Sequence, residues 1–138
     1  MKIYFAGSIR GSRADQSLYR DIITLLQPYG QVLTEHLGNQ DLSSYGEIHL
    51  SDQEICQRDV SWVTDSDIII AEVTQNSVGV GYELGLAEGL KKRVVCLYRP
   101  QPEKLLSSMI AGNKNFTVIE YQTLEKLKPK LEQIFKQP

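Results

Sequence analysis

The stretch Lys2-Ile3-Tyr4-Phe5-Ala6-Gly7-Ser8-Ile9-Arg10-Gly11 passes from an apolar run into a glycine-bracketed loop. The apolar part, residues 2–6, predicts a β-strand. A second loop of this kind, residues 75–81, follows the Ile-rich run 67–73, which is typical of a strand buried on both faces. Two strands that each run into a glycine-rich loop indicate a parallel sheet with a ligand site at one edge.

Strand-like and helix-like segments alternate along the whole chain. Strands are predicted at residues 2–6, 31–34, 67–73, 93–98 and 116–121. Helices are predicted at residues 13–27, 51–64, 79–91, 103–110 and 123–135, with Pro129 expected to kink or split the last. The alternation predicts an α/β fold: a single Rossmann-like (flavodoxin-like) domain over residues 1–138, with about five parallel strands flanked by helices on both faces.

Composition narrows the function classes. The 138 residues are 41% hydrophobic and carry a net charge of −2, which argues against binding of DNA or RNA. Cys56 and Cys96 are predicted to be buried, reduced thiols, and no metal-ligand spacing involves His36 or His49, so no metal or cofactor is expected. Neither a signal peptide nor a membrane-spanning run is predicted, which favours a cytoplasmic protein.

The first loop has the features of an anion site. Gly7 and Gly11 allow close approach of the backbone to a ligand, Ser8 supplies a hydroxyl, and Arg10 supplies a forked donor suited to phosphate. The spacing matches neither a dinucleotide fingerprint nor a P-loop. A tight strand-to-helix turn with a surface arginine is the alternative interpretation.

Glu83 and Asp59 are carboxylates on apolar helix stripes. The helical neighbours of Glu83 are Gly79, Val80, Leu86 and Ala87. Those of Asp59 are Ile55, Cys56, Trp62 and Val63. Burial of a carboxylate raises its pKa and marks a candidate functional acid, although a buried cap or salt bridge is the alternative for either one. Two such acids in one small domain favour a shared site.

Two charged residues provide a contrast. Glu88 has Lys91 and Lys92 at helical spacing, and Arg58 follows Glu54 by four residues. Both are predicted to lie on solvated helix faces.

Four further polar residues each have two interpretations. Tyr4 could orient a carboxylate, although a core aromatic is the commoner role, and Ser77 could bind the same anion or only cap a helix. Glu72 could face the site or satisfy a local turn, and His36 could touch a ligand or lie on the surface.

In matching order and over nearly its whole length, the chain resembles the 2′-deoxynucleoside 5′-phosphate N-hydrolases, a group of the nucleoside 2-deoxyribosyltransferase superfamily. The resemblance rests on Tyr4-Phe5-Ala6-Gly7-Ser8-Ile9-Arg10-Gly11, Leu33-Thr34-Glu35-His36, Arg58-Asp59, Ala71-Glu72-Val73-Thr74-Gln75, Gly79-Val80-Gly81-Tyr82-Glu83-Leu84-Gly85 and Leu106-Ser107-Ser108-Met109-Ile110. It implies cleavage of the N-glycosidic bond of a 2′-deoxynucleoside 5′-monophosphate, giving free base and 2-deoxyribose 5-phosphate.

The same resemblance implies roles for individual residues. The nucleophile falls on Glu83, the assisting acid on Asp59 and the orienting phenol on Tyr4. Phosphate contacts fall on Ser8, Arg10, Ser77 and Gly79, within loops that include Gly7 and Gly11. Ser107 matches a serine that the neighbouring subunit of a homodimer contributes. Contacts to the base are expected from Ile9, His36, residues 38–46 and Met109.

Two other functions compete with hydrolysis. In a deoxyribosyltransferase a second base, rather than water, attacks the intermediate, but an enzyme for unphosphorylated nucleosides has no use for the phosphate-binding set. A non-catalytic nucleotide-binding module gains nothing from two carboxylates beside an anion.

Overall fold

The computed structural model describes residues 1–9, 15–38 and 49–137. Within these residues, five strands alternate with five α-helices: β1 (Lys2–Ala6), α1 (Gln16–Leu26), β2 (Gln31–Val32), α2 (Asp52–Asp65), β3 (Ile68–Glu72), α3 (Val78–Gly89), β4 (Arg93–Tyr98), α4 (Ser108–Ala111), β5 (Phe116–Glu120) and α5 (Leu124–Lys136).

The described strands form one parallel sheet in the order β2-β1-β3-β4-β5, which confirms the predicted fold class. The chain moves outward from β1 to β2, and then returns to the other side of β1 to place β3. Ligands of such folds bind at this point of reversal, beyond the carboxyl ends of the two central strands. The loops that follow β1 and β3 therefore meet at the expected ligand-binding edge.

Alternation along β1 sends its side chains to two separate cores. Ile3 and Phe5 pack with apolar residues of α1 and α5, whereas Tyr4 and Ala6 pack with residues of α2 and α3. Successive strand residues point to opposite faces, so this division follows directly from the backbone. It places the Tyr4 ring on the same face as α2 and α3.

The beginning of α2 follows its sequence signal. The Ser51 hydroxyl accepts a hydrogen bond from the Glu54 N–H at 3.1 Å, and the Glu54 carboxylate accepts one from the Ser51 N–H at 3.2 Å. This reciprocal capping box fixes where α2 begins, and hence which of its faces meets the sheet.

Three predicted elements differ from the structure. The helix predicted at 103–110 is only the single turn α4, and Tyr98 donates a hydrogen bond to the Lys104 carbonyl at 2.6 Å in the segment before it. Pro129 does not split α5, because the buried side chains of that helix offset the cost of about 3 kcal/mol of an internal proline. Strand β2 ends at Val32, and two residues later the Thr34 hydroxyl bonds the backbone of β1 instead.

Individual side chains also depart from expectation. Cys96 is buried as predicted, but Cys56 is exposed on α2. The Glu88 carboxylate accepts hydrogen bonds at 2.8 Å from Asn113 and from Asn115, rather than forming the predicted pairs with lysines. None of the helices within the described ranges is long and apolar enough to cross a membrane.

Candidate active site

A cavity of about 630 Å³ lies between the loop after β1 and the helices α2 and α3. Among the residues that the structure describes, its lining includes seven of those predicted from the sequence: Gly7, Ser8, Ile9, Asp59, Ser77, Gly79 and Glu83. The volume suits a small-molecule ligand. The cavity opens where β1 and β3 end, so the topology itself brings these residues together.

Glu83 supplies the most unusual atom of this cavity. Its Oε2 atom is buried and has no hydrogen-bond partner among the described residues. Burial raises the pKa of Glu83 to about 7; a hydrogen bond from Tyr4 opposes the shift, and the nearby Asp59 carboxylate adds to it. An orphaned buried carboxylate oxygen costs about 1–3 kcal/mol, so its presence in a cavity indicates a chemical purpose.

Tyr4 fills the core and also contacts the acid. Its residue is 2% exposed, and its hydroxyl forms a hydrogen bond with the Glu83 carboxylate. Burial, with Glu83 and Asp59 adding to it, raises the pKa of Tyr4 far above its ordinary value. The phenol therefore remains a donor at every pH of interest, and both sequence interpretations of Tyr4 apply.

Asp59 is held by a residue whose role the sequence analysis missed. The Nε and Nη2 atoms of Arg58 each lie 3.0 Å from Oδ1 of Asp59, and the guanidinium also lies 4.7 Å from the centre of the Trp62 ring. The prediction that Arg58 lies on a solvated face is wrong, because its side chain is only 22% exposed. The four-residue spacing from Arg58 to Trp62 was the signal that could have revealed this packing.

His36 approaches this group from a short 3-10 helix, Glu35–Gly38. Its Nε2 atom lies 3.3 Å from Nη2 of Arg58, and its ring centre lies 5.7 Å from that of Trp62. The cavity lining does not include His36. The structure thus connects His36 to Asp59 through Arg58, rather than placing it against the cavity.

The amino-terminal end of α3 forms another wall. The Ser77 hydroxyl accepts a hydrogen bond from the Val80 N–H at 3.3 Å, so Ser77 is a helix cap that also lines the cavity. Its hydroxyl proton can still be donated to a ligand. The backbone N–H of Gly79 lies in the first turn, where helix geometry provides no intrahelical acceptor.

The loop after β1 is packed against α1. A Cβ atom on Gly7 would lie 2.9 Å from Cε2 of Tyr19, so a side chain larger than hydrogen would displace that ring. The Ser8 N–H donates a hydrogen bond to the Tyr19 hydroxyl at 3.2 Å. Glycine at position 7 therefore lets the loop lie close to α1.

The remaining predicted site residues lie elsewhere. Ser107 and Met109 line a neighbouring cavity of about 540 Å³ between α3 and α4, which shares Asn76, Ser77, Val78 and Val80 with the first. Arg10 and Gly11 lie outside the described residues, as does most of the loop 38–46.

The sequence analysis also missed several residues of the cavity wall. They are Asp52, Ile55, Cys56, Val60, Asn76, Val78, Val80 and Tyr82. Those on α2 recur at spacings of three and four residues around Asp59, and this helical period was the available signal.

Comparison with known proteins identifies the family of this chain. Residues 3–127 match the family model described as nucleoside 2-deoxyribosyltransferase. A CMP N-glycosidase from Clostridium botulinum, BcmB, has the same fold, with a TM-score of 0.67 at 16% identity over 97% of this chain and 99% of its own. The chain belongs to the nucleoside 2-deoxyribosyltransferase family.

Closer relatives refine this assignment within the family. A protein of Esox lucius named 5-hydroxymethyl-dUMP N-hydrolase is 49% identical, over 99% of this chain and 97% of its own. The human protein of that name is 45% identical, over 87% of this chain and 71% of its own. The present chain is accordingly a glycosidase of the N-hydrolase group.

Proposed function

We propose that this enzyme hydrolyses the N-glycosidic bond of a 2′-deoxynucleoside 5′-monophosphate, with Glu83 as the nucleophile. The products are the free base and 2-deoxyribose 5-phosphate. The observation that carries the proposal is the buried Oε2 of Glu83, which has no hydrogen-bond partner among the described residues and belongs to a cavity also lined by Ser8 and Ser77. Such an oxygen gains a partner when it meets an electron-poor carbon.

The chemistry proceeds in two displacements. The ionised Glu83 carboxylate attacks C1′ of the sugar while the bond to the base nitrogen breaks, and a protonated Asp59 transfers its proton to the departing base. Water then attacks C1′, gives a proton back to Asp59 and releases Glu83 as a carboxylate. The Arg58 guanidinium stabilises the Asp59 carboxylate that exists between the two proton transfers.

The phosphate of the substrate is proposed to bind at the loops that follow β1 and β3. Ser8, the Ser77 hydroxyl and the Gly79 N–H supply neutral donors there, and Arg10 is proposed to supply the positive charge. Binding a remote phosphate holds the sugar in the cavity, so the interaction raises kcat/KM for the phosphorylated substrate.

The relatives suggest which base to test first. Both the Esox lucius and the human proteins are named for 5-hydroxymethyl-dUMP, so a hydroxymethylated pyrimidine is the leading candidate. The assay should compare this nucleotide with the four ordinary 2′-deoxynucleoside monophosphates and the matching ribonucleotides, with free base measured by chromatography. We expect base release from deoxynucleotides, and a much lower rate from unphosphorylated nucleosides.

Transfer between bases is the second candidate, because the matching family model is described as a 2-deoxyribosyltransferase. Adding an excess of a different free base to the same reaction distinguishes the two. Hydrolysis predicts 2-deoxyribose 5-phosphate as the main product. Accumulation of a new nucleotide that carries the added base would overturn the proposal in favour of transfer.

We also propose a homodimer in which Ser107 of each chain completes the site of the other. Val78 is 94% exposed and Met109 is 81% exposed on the groove between α3 and α4, an arrangement typical of an apolar contact surface. The exposed Gly81 and Gly85 have open space at the position of a Cβ, so a second helix could approach α3 closely.

The dimer has a direct test. Chains carrying Glu83→Ala and Ser107→Ala are co-expressed, so that a mixed dimer holds one intact site. Random pairing predicts recovery of roughly a quarter of the wild-type activity if the substitution at Ser107 is inactivating. A monomer in sedimentation equilibrium, or no recovery from confirmed mixed dimers, would contradict shared sites.

We propose a cytoplasmic location, because the two cysteines suit a reducing compartment. Both Cys56 and Cys96 are free thiols, and free thiols are most common in proteins of reducing compartments. Fractionation of cells that express the tagged protein would test this location.

A further inference from the structure

A partly buried ionic network lies on the α1 and α5 side of the sheet, at the same edge as the cavity. Its members are Asp15, Glu72, Arg99 and Tyr121, and we refer to them as the Arg99 network. Glu72 ends β3, Arg99 follows β4 and Tyr121 follows β5, whereas Asp15 immediately precedes α1 without a side-chain capping bond to it. None of the four lines the cavity.

The contacts of this network join four elements of the chain. Arg99 places Nη2 at 2.7 Å from Oδ2 of Asp15 and Nε at 3.5 Å from Oε2 of Glu72. Oε2 of Glu72 also accepts a short hydrogen bond from Tyr121, and its Oε1 accepts one from the Thr74 N–H at 2.7 Å. Glu72 therefore satisfies a local turn, one of the two interpretations left open by the sequence, and serves the network as well.

The network reaches the first loop through α1. Asp15 lies one turn before Tyr19, and the Asp15 carbonyl accepts the Tyr19 N–H at 2.9 Å. Tyr19 in turn receives the Ser8 N–H and packs against Gly7. A shift of Asp15 would therefore move the ring that supports the loop proposed to hold phosphate.

Charge adds a second effect. Two carboxylates, Asp15 and Glu72, act on the Tyr19 hydroxyl, which touches the Ser8 amide, and Arg99 provides the opposing positive charge. Burial alone would lower the pKa of Arg99, but Glu72 and Asp15 outweigh it and raise that pKa, so the guanidinium stays charged. Without Arg99, two uncompensated carboxylates would repel an anion in the first loop.

Stability alone is a weak explanation for such a group. Buried ion pairs contribute little net stability relative to apolar packing, because desolvation offsets their attraction. A network that also supports a ligand loop has a functional reason to be retained.

We propose that Arg99 is a positioning residue for the phosphate end of the substrate, acting through Asp15, Tyr19 and the Gly7–Ser8 turn. This inference rests on the proposed function, because it assigns the phosphate to that loop. It extends the proposal to a residue that lies outside the cavity and touches no substrate.

The experiment compares Arg99→Met and Arg99→Lys with Arg93→Met as the control. Arg93 lies at the other end of β4 and bonds the exposed Gln137. Binding of 2-deoxyribose 5-phosphate is measured by calorimetry, and KM and kcat are measured with a 2′-deoxynucleoside monophosphate. Melting temperatures are recorded for every variant.

We expect Arg99→Met to weaken binding of 2-deoxyribose 5-phosphate and to raise KM by about tenfold or more, with kcat changed by less than about threefold. Arg99→Lys keeps the positive charge but loses the planar guanidinium group, so we expect 2-deoxyribose 5-phosphate to bind about threefold more weakly than it binds to the wild type. Arg93→Met should bind like the wild type. If Arg99→Met does not fold, Arg99→Lys provides the test.

Binding and KM equal to the control, with only a lower melting temperature, would overturn the inference and leave a purely structural network. Failure of the proposed function looks different. In that case the wild type would bind 2-deoxyribose 5-phosphate but release no base, while the binding difference at Arg99 would persist.

Discussion

Two clusters on opposite faces of the sheet contain the same four residue types. On the α2 and α3 face, Asp59 and Glu83 line the cavity, Arg58 contacts Asp59, and Tyr4 contacts Glu83. On the α1 and α5 face, the Arg99 network contains a tyrosine, an arginine, an aspartate and a glutamate in contact with one another.

The two clusters differ in whether the glutamate is satisfied. Both carboxylate oxygens of Glu72 accept hydrogen bonds, whereas Oε2 of Glu83 has no such partner within the described residues. In both clusters the tyrosine hydroxyl bonds the glutamate. The contrast shows that two clusters of the same composition differ in their glutamates, since only the one at the cavity leaves a carboxylate oxygen without a partner among the described residues.

The largest expected effect comes from replacing the unsatisfied acid. Glu83→Gln removes the nucleophilic charge, so kcat/KM for a 2′-deoxynucleoside monophosphate should fall roughly 10⁴-fold. Glu88→Gln, on the same helix and bound to Asn113 and Asn115, should stay within about twofold of wild type. Turnover by a folded Glu83→Gln enzyme at the rate of the Glu88→Gln control would remove Glu83 from the mechanism.

Replacing the glutamate of each cluster by glutamine should change the free energy of unfolding in opposite directions. Glu72→Gln breaks a buried ion pair and should lower the free energy of unfolding by about 3 kcal/mol. Glu83→Gln removes a buried charge and should raise it by about 1–3 kcal/mol at pH 8. Urea unfolding of both variants measures the difference, and equal destabilisation would contradict the contrast.

The gain from Glu83→Gln should depend on pH. The pKa of Glu83 is raised to about 7 in the folded protein, above its ordinary value of 4.5. Between these values the folded state binds more protons, so wild-type stability falls as the pH rises from about 4.5 to about 7. The Glu83→Gln variant does not lose stability in this pH range. Its gain in the free energy of unfolding over the wild type should therefore become smaller as the pH falls towards 5.

A moderate effect is expected at Arg58. Arg58→Met keeps the packing on Trp62 but releases Asp59, so kcat/KM should fall by about tenfold to a hundredfold. Arg20→Met on the exposed face of α1 is the control, and circular dichroism verifies that both variants fold. A value of kcat/KM that matches the Arg20→Met control would show that Asp59 needs no support from Arg58.

The smallest effect concerns the pH profile. The hydrogen bond from Tyr4 lowers the pKa of Glu83 relative to burial alone, so Tyr4→Phe should move the acidic limb of kcat/KM to higher pH by roughly one unit. The substrate phosphate titrates identically in both assays and therefore cancels. Tyr29→Phe, on a partly buried ring stacked against Phe135 and remote from Glu83, should not shift the limb.

The sequence predicted the fold because its signals are local. Strand runs, the capping box at Ser51 and the glycine-rich loops each fall within a few residues, and the alternation of strands with helices predicts a parallel sheet without fixing the order of its strands. Glu83 could be identified for the same reason, since a carboxylate on an apolar helix stripe is visible within one turn on each side. Pro129 misled the prediction because packing against the core outweighs a local penalty.

The missing parts depend on contacts between distant residues. Arg99 bonds Asp15 across 84 positions, and Tyr121 bonds Glu72 across 49, so no local pattern contains this network. Arg58 was assigned to the surface from its spacing to Glu54, whereas Asp59 and Trp62 hold it at the site.

The segment that begins α3 is a wall shared by two cavities. The cavity that contains Glu83 and the groove towards α4 are both lined by Asn76, Ser77, Val78 and Val80. An uncharged compound lodged in that groove would keep out the second chain of the proposed homodimer, and would inhibit the enzyme without imitating a phosphate. Such an inhibitor would avoid the poor membrane permeability of nucleotide mimics, and resistance substitutions in the wall would also damage the site for the natural substrate.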